Sequence, residues 1–188
     1  MNKLSILDIK KYALENNVPI IQDEALNYIL ELIKKNNYKN ILEIGSAIGY
    51  SSICMAQAGT SVQTIEKDIV RYTKAVHNIK ELNVDVKIYL LDAIEFETED
   101  KFDLIFIDAA KGQYRKYFEK FSANLKDNGV IVCDNLNFHH LKIEEVSKRT
   151  ASLLKKIQQF KSFLEENKDF VTDFINVGDG LSISRKKV

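Results

Sequence analysis

The chain has 188 residues, 45% of them hydrophobic and 29% charged, with one proline and seven glycines. That length encloses a sheet between two helical layers, and the composition excludes a disordered or linker-rich chain. No apolar run reaches the ~18 residues of a membrane span, and 27 Lys+Arg balance 27 Asp+Glu, so mean charge selects no polyanionic partner.

In chain order, two helices are expected at about 4–16 and 22–37, separated by Val18-Pro19, the first of them weakly patterned. This 1–37 segment should pack on the remainder of one domain, 1–188. From residue 40 short apolar runs alternate with helix-period stretches. NILEI (40–44), SVQTI (61–65), VKIYLL (86–91), FDLIFI (102–107) and GVIVC (129–133) read as buried strands, and 49–58, 67–82 and 111–125 as the helices between them. Continuous apolar strands joined through helices imply parallel pairing, right-handed crossovers and helices on both faces. Residues 142–166 read as one long helix with Ile143, Val146, Leu153, Leu154, Ile157, Phe160 and Leu164 on one face. Lys148 and Lys155 fall opposite that face, and Arg149 and Lys156 on its flank. FVTDFINV and LSISRKK, joined across Gly178-Asp179-Gly180, read as a hairpin.

Charge is segregated. Asp92, Glu95, Glu97, Glu99, Asp100 and Asp103 crowd residues 92–103 against one lysine, whereas Lys142, Lys148, Arg149, Lys155, Lys156 and Lys161 face two glutamates in 142–161. No aromatic interleaves this basic run, so nucleic-acid contact there would be phosphate-led and salt-dependent; a solvated face is the plainer reading. Cys54 and Cys133 sit far apart in apolar runs and read as buried thiols. The N-terminal MNKLSILDIKKYALENN is broken by charge and lacks a signal-peptide core, so a cytoplasmic location is expected.

Two clusters carry chemistry. The first is the turn Glu43-Ile44-Gly45-Ser46-Ala47-Ile48-Gly49-Tyr50-Ser51 between strand and helix, where Gly45 lets backbone approach a ligand. Glu66, ~20 residues on at the end of the second strand, suits ribose hydroxyls, and Asp92-Ala93 suits an adenine edge. A structural turn with solvated acids is the alternative; the dinucleotide spacing and a P-loop lysine are absent. The second cluster lies at the ends of the fourth and fifth strands: Asp108, and Asp134-Asn135. Two carboxylates and an amide oxygen make a hard half-shell suited to Mg²⁺, with open positions for substrate oxygens; no Cys/His set has zinc spacing. Lys111, three residues after Asp108, is placed to take a proton or stabilise an oxyanion. Strand-end aspartates also cap helices, and a lone lysine is usually a surface one; the joint pattern outweighs each reading alone. His139 and His140 read as loop residues at the substrate mouth, with Tyr50, Tyr114 and Phe138 as candidate pocket walls.

EIGSAIGYSS, IDAAKGQY and CDNLNF, in this order, resemble the cation-dependent O-methyltransferase family that includes catechol and caffeoyl-CoA methyltransferases, from about Val18 to the end. The resemblance implies an α/β, Rossmann-like class I methyltransferase fold: a mostly parallel seven-stranded sheet, helices on both faces, and a C-terminal antiparallel hairpin. It implies S-adenosylmethionine as cofactor and Asp108, Asp134 and Asn135 as ligands of Mg²⁺ or another hard divalent cation. Lys111, with Asp108, would be catalytic. Ile21, Ser51, Glu66, Asp92, Ala93 and Asp108 match cofactor contacts; Glu43 and Gly45 belong to the cofactor turn. Within the family the likeness is to the bacterial branch that methylates tRNA 5-hydroxyuridine to 5-methoxyuridine at the wobble position. That implies a tRNA partner on the basic face of Lys148, Arg149, Lys155 and Lys156, and a homodimer. A small-molecule methyltransferase for catechol-like phenols is the alternative, and a cofactor-binding protein without catalysis the third reading. The sequence departs from the family pattern at Ile21, where methionine is common, and after Asn135, where Leu136-Asn137-Phe138-His139-His140 lacks a glycine. The acidic stretch after Asp92 is also short.

Overall fold

The computed structural model describes residues 4–136 and 147–187. Its centre is a seven-stranded sheet in the order β3-β2-β1-β4-β5-β7-β6. Strands β1 (Asn40–Ile44), β2 (Ser61–Glu66), β3 (Val86–Leu90), β4 (Phe102–Ile107) and β5 (Leu125–Cys133) pair in parallel. β6 (Phe170–Ile175) and β7 (Leu181–Lys186) form the expected hairpin, and β7 joins β5 antiparallel. Strand order reverses between β1 and β4, so their carboxyl ends open a crevice there.

Strand alternation divides the core. Ile41, Leu104, Phe106, Val130 and Val132 face one side, where α1 (Ile6–Glu15), α2 (Asp23–Asn36), α3 (Tyr50–Gln57) and α4 (Ile69–Leu82) contribute Ile9, Ile29, Ile53 and Ile79. Leu42, Ile44, Ile105, Ile107 and Ile131 face the other, covered by α5 (Tyr114–Phe121) and α6 (Lys148–Glu165) through Tyr117, Phe118, Ile157 and Phe160. Each such side chain contributes ~1.5–3 kcal/mol by leaving water. Phe118 sits at the middle of this second layer, with the rings of Phe160, Phe163 and Phe170 edge-on at 6.3, 5.6 and 5.1 Å.

Caps set several boundaries. Ser5 and Asp8 form a reciprocal capping box that starts α1, so the weakly patterned first helix is a well-terminated one. Asp68 accepts from the N–H groups of Val70 and Arg71, each at 2.9 Å, which moves the start of α4 from the expected 67 to 69. Ser147 caps α6 through the Thr150 N–H, so this helix begins at Lys148 rather than 142; Ile143 and Val146 lie outside the described residues. The expected 111–125 helix is three pieces, with single 3₁₀ turns at Lys111–Gln113 and Ser122–Asn124 flanking α5. Its last residue belongs to β5, which begins four residues earlier than its apolar run because the β4 register jumps from Phe102↔Leu125 to Leu104↔Val130. Among the described residues no helix is long and apolar enough to cross a membrane.

Candidate active site

The crevice holds a cavity of about 370 Å³, walled by Gly45, Ala47 and Glu66 at one end and by Asp108, Lys111 and Asn135 at the other. At the first end the turn after β1 is shaped by close approach. A Cβ on Gly45, which has φ +98°, would lie 2.2 Å from the Asp108 carbonyl oxygen. Glu66 is locked in place: one carboxylate oxygen accepts from the Ala47 N–H and the other from the Asp68 N–H, both at 2.9 Å. Ala47 carries φ 47°, a left-handed conformation costing ~1–2 kcal/mol for a residue with a Cβ, held by that bond. Ala93 lines the same cavity. Asp92 lies between the lining residues Leu91 and Ala93, accepting from the Ile94 N–H at 3.1 Å and the Tyr117 hydroxyl at 3.4 Å, with Lys67 at 3.8 Å.

Besides Asp92, three expected cofactor contacts, Ile21, Glu43 and Ser51, are not among the cavity's lining residues. The Glu43 carboxylate is fully buried and accepts from the hydroxyls of Ser51, Ser52 and Thr64, tying β1, α3 and β2 together beneath the turn. Burial pushes its carboxyl above the usual range although the three hydroxyls pull it down. Ser51 is thus spent on Glu43, and neither borders the cavity. Ile21 is 4% exposed and packs into the α1–α4 layer, and Pro19 takes the wall position.

At the other end the two aspartates and the asparagine come together as expected. The β4 and β5 ladders continue past their strands, the Asp108 N–H reaching the Ile44 carbonyl at 3.0 Å and the Asp134 N–H the Ile107 carbonyl at 3.2 Å. Side by side, the carboxylates are bridged by Asn135, whose amide donates to Asp108 at 3.3 Å and to Asp134 at 3.2 Å from a left-handed backbone, φ 62°. The Asn135 N–H adds a bond of 2.6 Å to Asp134. Burial, then the charge of Glu43, raises Asp108 to about 6; burial, then the charge of Asp108, raises Asp134 to about 7. Lys111 is half-buried, and loss of water lowers its ammonium pKa while Asp108, Asp134 and Asp179 pull it back.

Two buried carboxylates side by side, both pushed up by loss of water and by neighbouring acids, fit a cation, which would convert that repulsion into ligation. Turned over about its last torsion, the Asn135 amide would add a third oxygen. Such a group would be Asp108, Asp134 and Asn135 with open sides toward the cavity. Among the described residues no set of three His, Cys, Asp or Glu side chains could hold a metal, so any site depends on that amide.

Residue-type reasoning missed Tyr117, Arg71 and Pro19 in the cavity wall, and Asp179. Asp179 lies in the hairpin turn read only as a turn; the Leu136 N–H bonds to the Gly180 carbonyl at 3.0 Å, so the turn sits beside the end of β5. Its charge raises Asp108, Asp134 and Lys111 together. The alternating Gly-Asp-Gly gave no sign of this. Tyr114 is not a cavity wall: it is buried, its hydroxyl donates to the Asp134 carbonyl at 3.1 Å, and its ring meets Phe160 edge-on. Tyr50 is also buried in the core. Phe138, His139 and His140 lie outside the described residues.

Comparison with known proteins identifies the family and the fold. A family model described as O-methyltransferase matches residues 1–187. Caffeoyl-CoA O-methyltransferase of Populus kitakamiensis is 28% identical over 94% of this chain and 82% of its own length. A Staphylococcus aureus crystal structure, provisionally assigned as a caffeoyl-CoA O-methyltransferase, is 35% identical with a TM-score of 0.90, covering 98% of this chain and 93% of that one. The O-methyltransferase of Bacillus cereus, crystallised in complex with SAH, shares the fold at 24% identity and a TM-score of 0.82, covering 97% of this chain and 90% of that one. With the family model spanning nearly every residue, from α1 to β7, the chain belongs to the O-methyltransferase family.

Proposed function

We propose that this O-methyltransferase takes its methyl group from S-adenosylmethionine, works with a bound Mg²⁺ or similar cation, and methylates 5-hydroxyuridine at the tRNA wobble position. The observation that carries the reading is the convergence of Asp108, Asn135 and Lys111 on the cavity that Gly45 and Glu66 wall from the other end, with Asp134 bound to Asn135 behind them. Glu66, its carboxylate already fixed by two backbone N–H groups, is preorganised to accept from a ribose diol. The B. cereus relative was crystallised with SAH, the demethylated product of that donor.

A cation on Asp108, Asp134 and Asn135 would lower the pKa of an acceptor hydroxyl and align it through a neighbouring oxygen. The 5-hydroxyl and 4-carbonyl of the modified uracil offer such a pair, as do the hydroxyls of a catechol. Lys111 receives the hydroxyl proton at Nζ; loss of water lowers its pKa and so favours the neutral amine that can take it. Transfer is then an in-line displacement: the oxygen–carbon bond forms as the carbon–sulfur bond breaks and the sulfonium charge is lost. Asp108, shared between the cavity and the cation group, sets acceptor and donor in line.

For the acceptor, the support is the exposed basic side of α6, where Lys155 and Lys156 stand next to the Lys111 turn. A catechol-type phenol is the second reading, favoured by the caffeoyl-CoA enzymes among the relatives. A homodimer belongs to the same proposal: Leu7 and Leu14 on α1 are 72% and 67% exposed, apolar area that a second copy would cover. The test is incubation of the protein with labelled S-adenosylmethionine, Mg²⁺ and tRNA carrying 5-hydroxyuridine, with and without EDTA, and a catechol in parallel. The expected result is 5-methoxyuridine that disappears with chelator. Methylation of catechol with untouched tRNA would move the acceptor to the second reading.

A further inference from the structure

A second depression, about 1210 Å³ and open to solvent, starts at the reaction cavity and runs between α5 and α6. Lys111 lines both, so the two adjoin at that residue. Its other cations come from three elements: Arg115 and Lys116 on α5, Lys155 and Lys156 on α6, and Lys168 in the turn before β6. Only Glu166 and Asp169 oppose them among the lining residues. Gly112 keeps the floor open beside Lys111, and the Lys156 ammonium lies 3.2 Å from where its Cβ would be. Phe160 and Phe163 line the groove, and the Arg115 guanidinium lies 4.7 Å from the Phe163 ring centre; Glu119 holds the Arg115 Nε at 2.9 Å and fixes that stack. Phe163 lies beyond the basic run 142–161, on the groove side of α6 rather than in its charged stripe.

Resting on the methyl-transfer reading above, we infer that this groove is the track for the phosphodiester backbone of the RNA whose base enters the cavity. From Lys155 to Glu166 the α6 wall runs ~16 Å at 1.5 Å per residue, longer than a single pyrophosphate and suited to several successive phosphates. Cations on both walls, with aromatic side chains between them, are the means by which single-stranded nucleic acid is held: phosphates on lysine and arginine, a base against a ring. The track also divides the basic residues of α6. Lys155 and Lys156 line it, Lys148 does not, and Arg149 borders a separate small depression with Lys156.

The test uses the full chain and an anticodon stem-loop RNA carrying 5-hydroxyuridine, with affinity measured over a range of salt. Lys116→Glu/Lys168→Glu changes two exposed residues outside the reaction cavity. It is expected to weaken RNA binding about tenfold or more at low salt and to flatten the log–log salt slope by about 2. Affinity for S-adenosylmethionine and turnover of a catechol or the free nucleoside should stay unchanged. Lys148→Glu/Arg149→Glu, the same charge change on α6 outside the groove, is the control and should cost far less. Equal losses in the two variants, or none in either, would overturn the track. Coenzyme A that binds the groove and displaces no RNA would overturn it too, assigning the cations to a nucleotide-bearing thioester. RNA that binds with the predicted salt slope yet is never methylated leaves the track standing and removes the wobble-uridine reading.

Discussion

The two ends of the cavity treat their carboxylates in opposite ways. At the β1–β2 end, Glu43 has three hydroxyl donors and Glu66 two backbone N–H donors, so folding alone satisfies both acids. At the β4–β5 end, Asp108 and Asp134 share one asparagine side-chain amide and both are pushed up, Asp108 by burial and the charge of Glu43, Asp134 by burial and the charge of Asp108. The first end is complete in the folded chain. The second is costly as it stands, and a group that supplies positive charge would relieve it. A region satisfied by its own hydrogen bonds positions a ligand; a region left electrostatically unsatisfied acts on one.

The sharpest way to break the comparison is to remove an acid from the unsatisfied end. Asp134→Ala should lower methyl transfer on the order of 10³-fold or more, measured as turnover at saturating S-adenosylmethionine, with little change in donor affinity. An equal loss of donor affinity would mean that the two ends are one site. Lys111→Ala should lower kcat by ~10²–10⁴-fold and remove the alkaline-side dependence of rate that a lysine base imposes. A pH profile unchanged in shape would leave Lys111 no role as base. Gly45→Ala joins the ends mechanically, because its new Cβ meets the Asp108 carbonyl at 2.2 Å in a left-handed backbone. It should destabilise the fold by ~2–4 kcal/mol, read by urea denaturation.

Stability against pH separates the ends more gently. Asp108 and Asp134 have folded-state pKa values of about 6 and about 7, above the ordinary 3.8. Protons held by the folded form stabilise it fully below pH ~4, the unfolded value, and that contribution is lost as pH rises through 6 and 7. Metal-free protein should therefore melt several degrees lower at pH 8 than at pH 5, and Mg²⁺ should raise Tm more at pH 8. A Mg²⁺ effect equal at both values would detach the cation from these carboxylates. The smallest effect belongs to the satisfied end. Glu43→Gln should cost ~1 kcal/mol through one mismatched hydroxyl and leave turnover nearly unchanged; a large loss of donor affinity would return Glu43 to the cofactor contacts.

The chain itself determined a great deal. Apolar runs of five or six residues alternating with helix-period stretches can bury their backbone polar groups only as a parallel sheet between helices, and all five runs became strands. Asp108, Asp134 and Asn135 were legible because each ends such a run, and strand ends at a switch point converge whatever the side chains are. Boundaries were less so, since Asp68 and Ser147 act as caps only once their backbones leave the helix. The β5 start depended on its register against β4. Tertiary structure alone decided where Glu43 and Ser51 spend their hydrogen bonds, which wall Tyr117 forms, and that Asp179 stands beside Asp134. It also decided which lysines of α6 share a groove with Lys111. These are relations between elements far apart in sequence, set by the antiparallel pairing of β7 on β5 and by the packing of α6 across α5; no local periodicity encodes a neighbour seventy residues away.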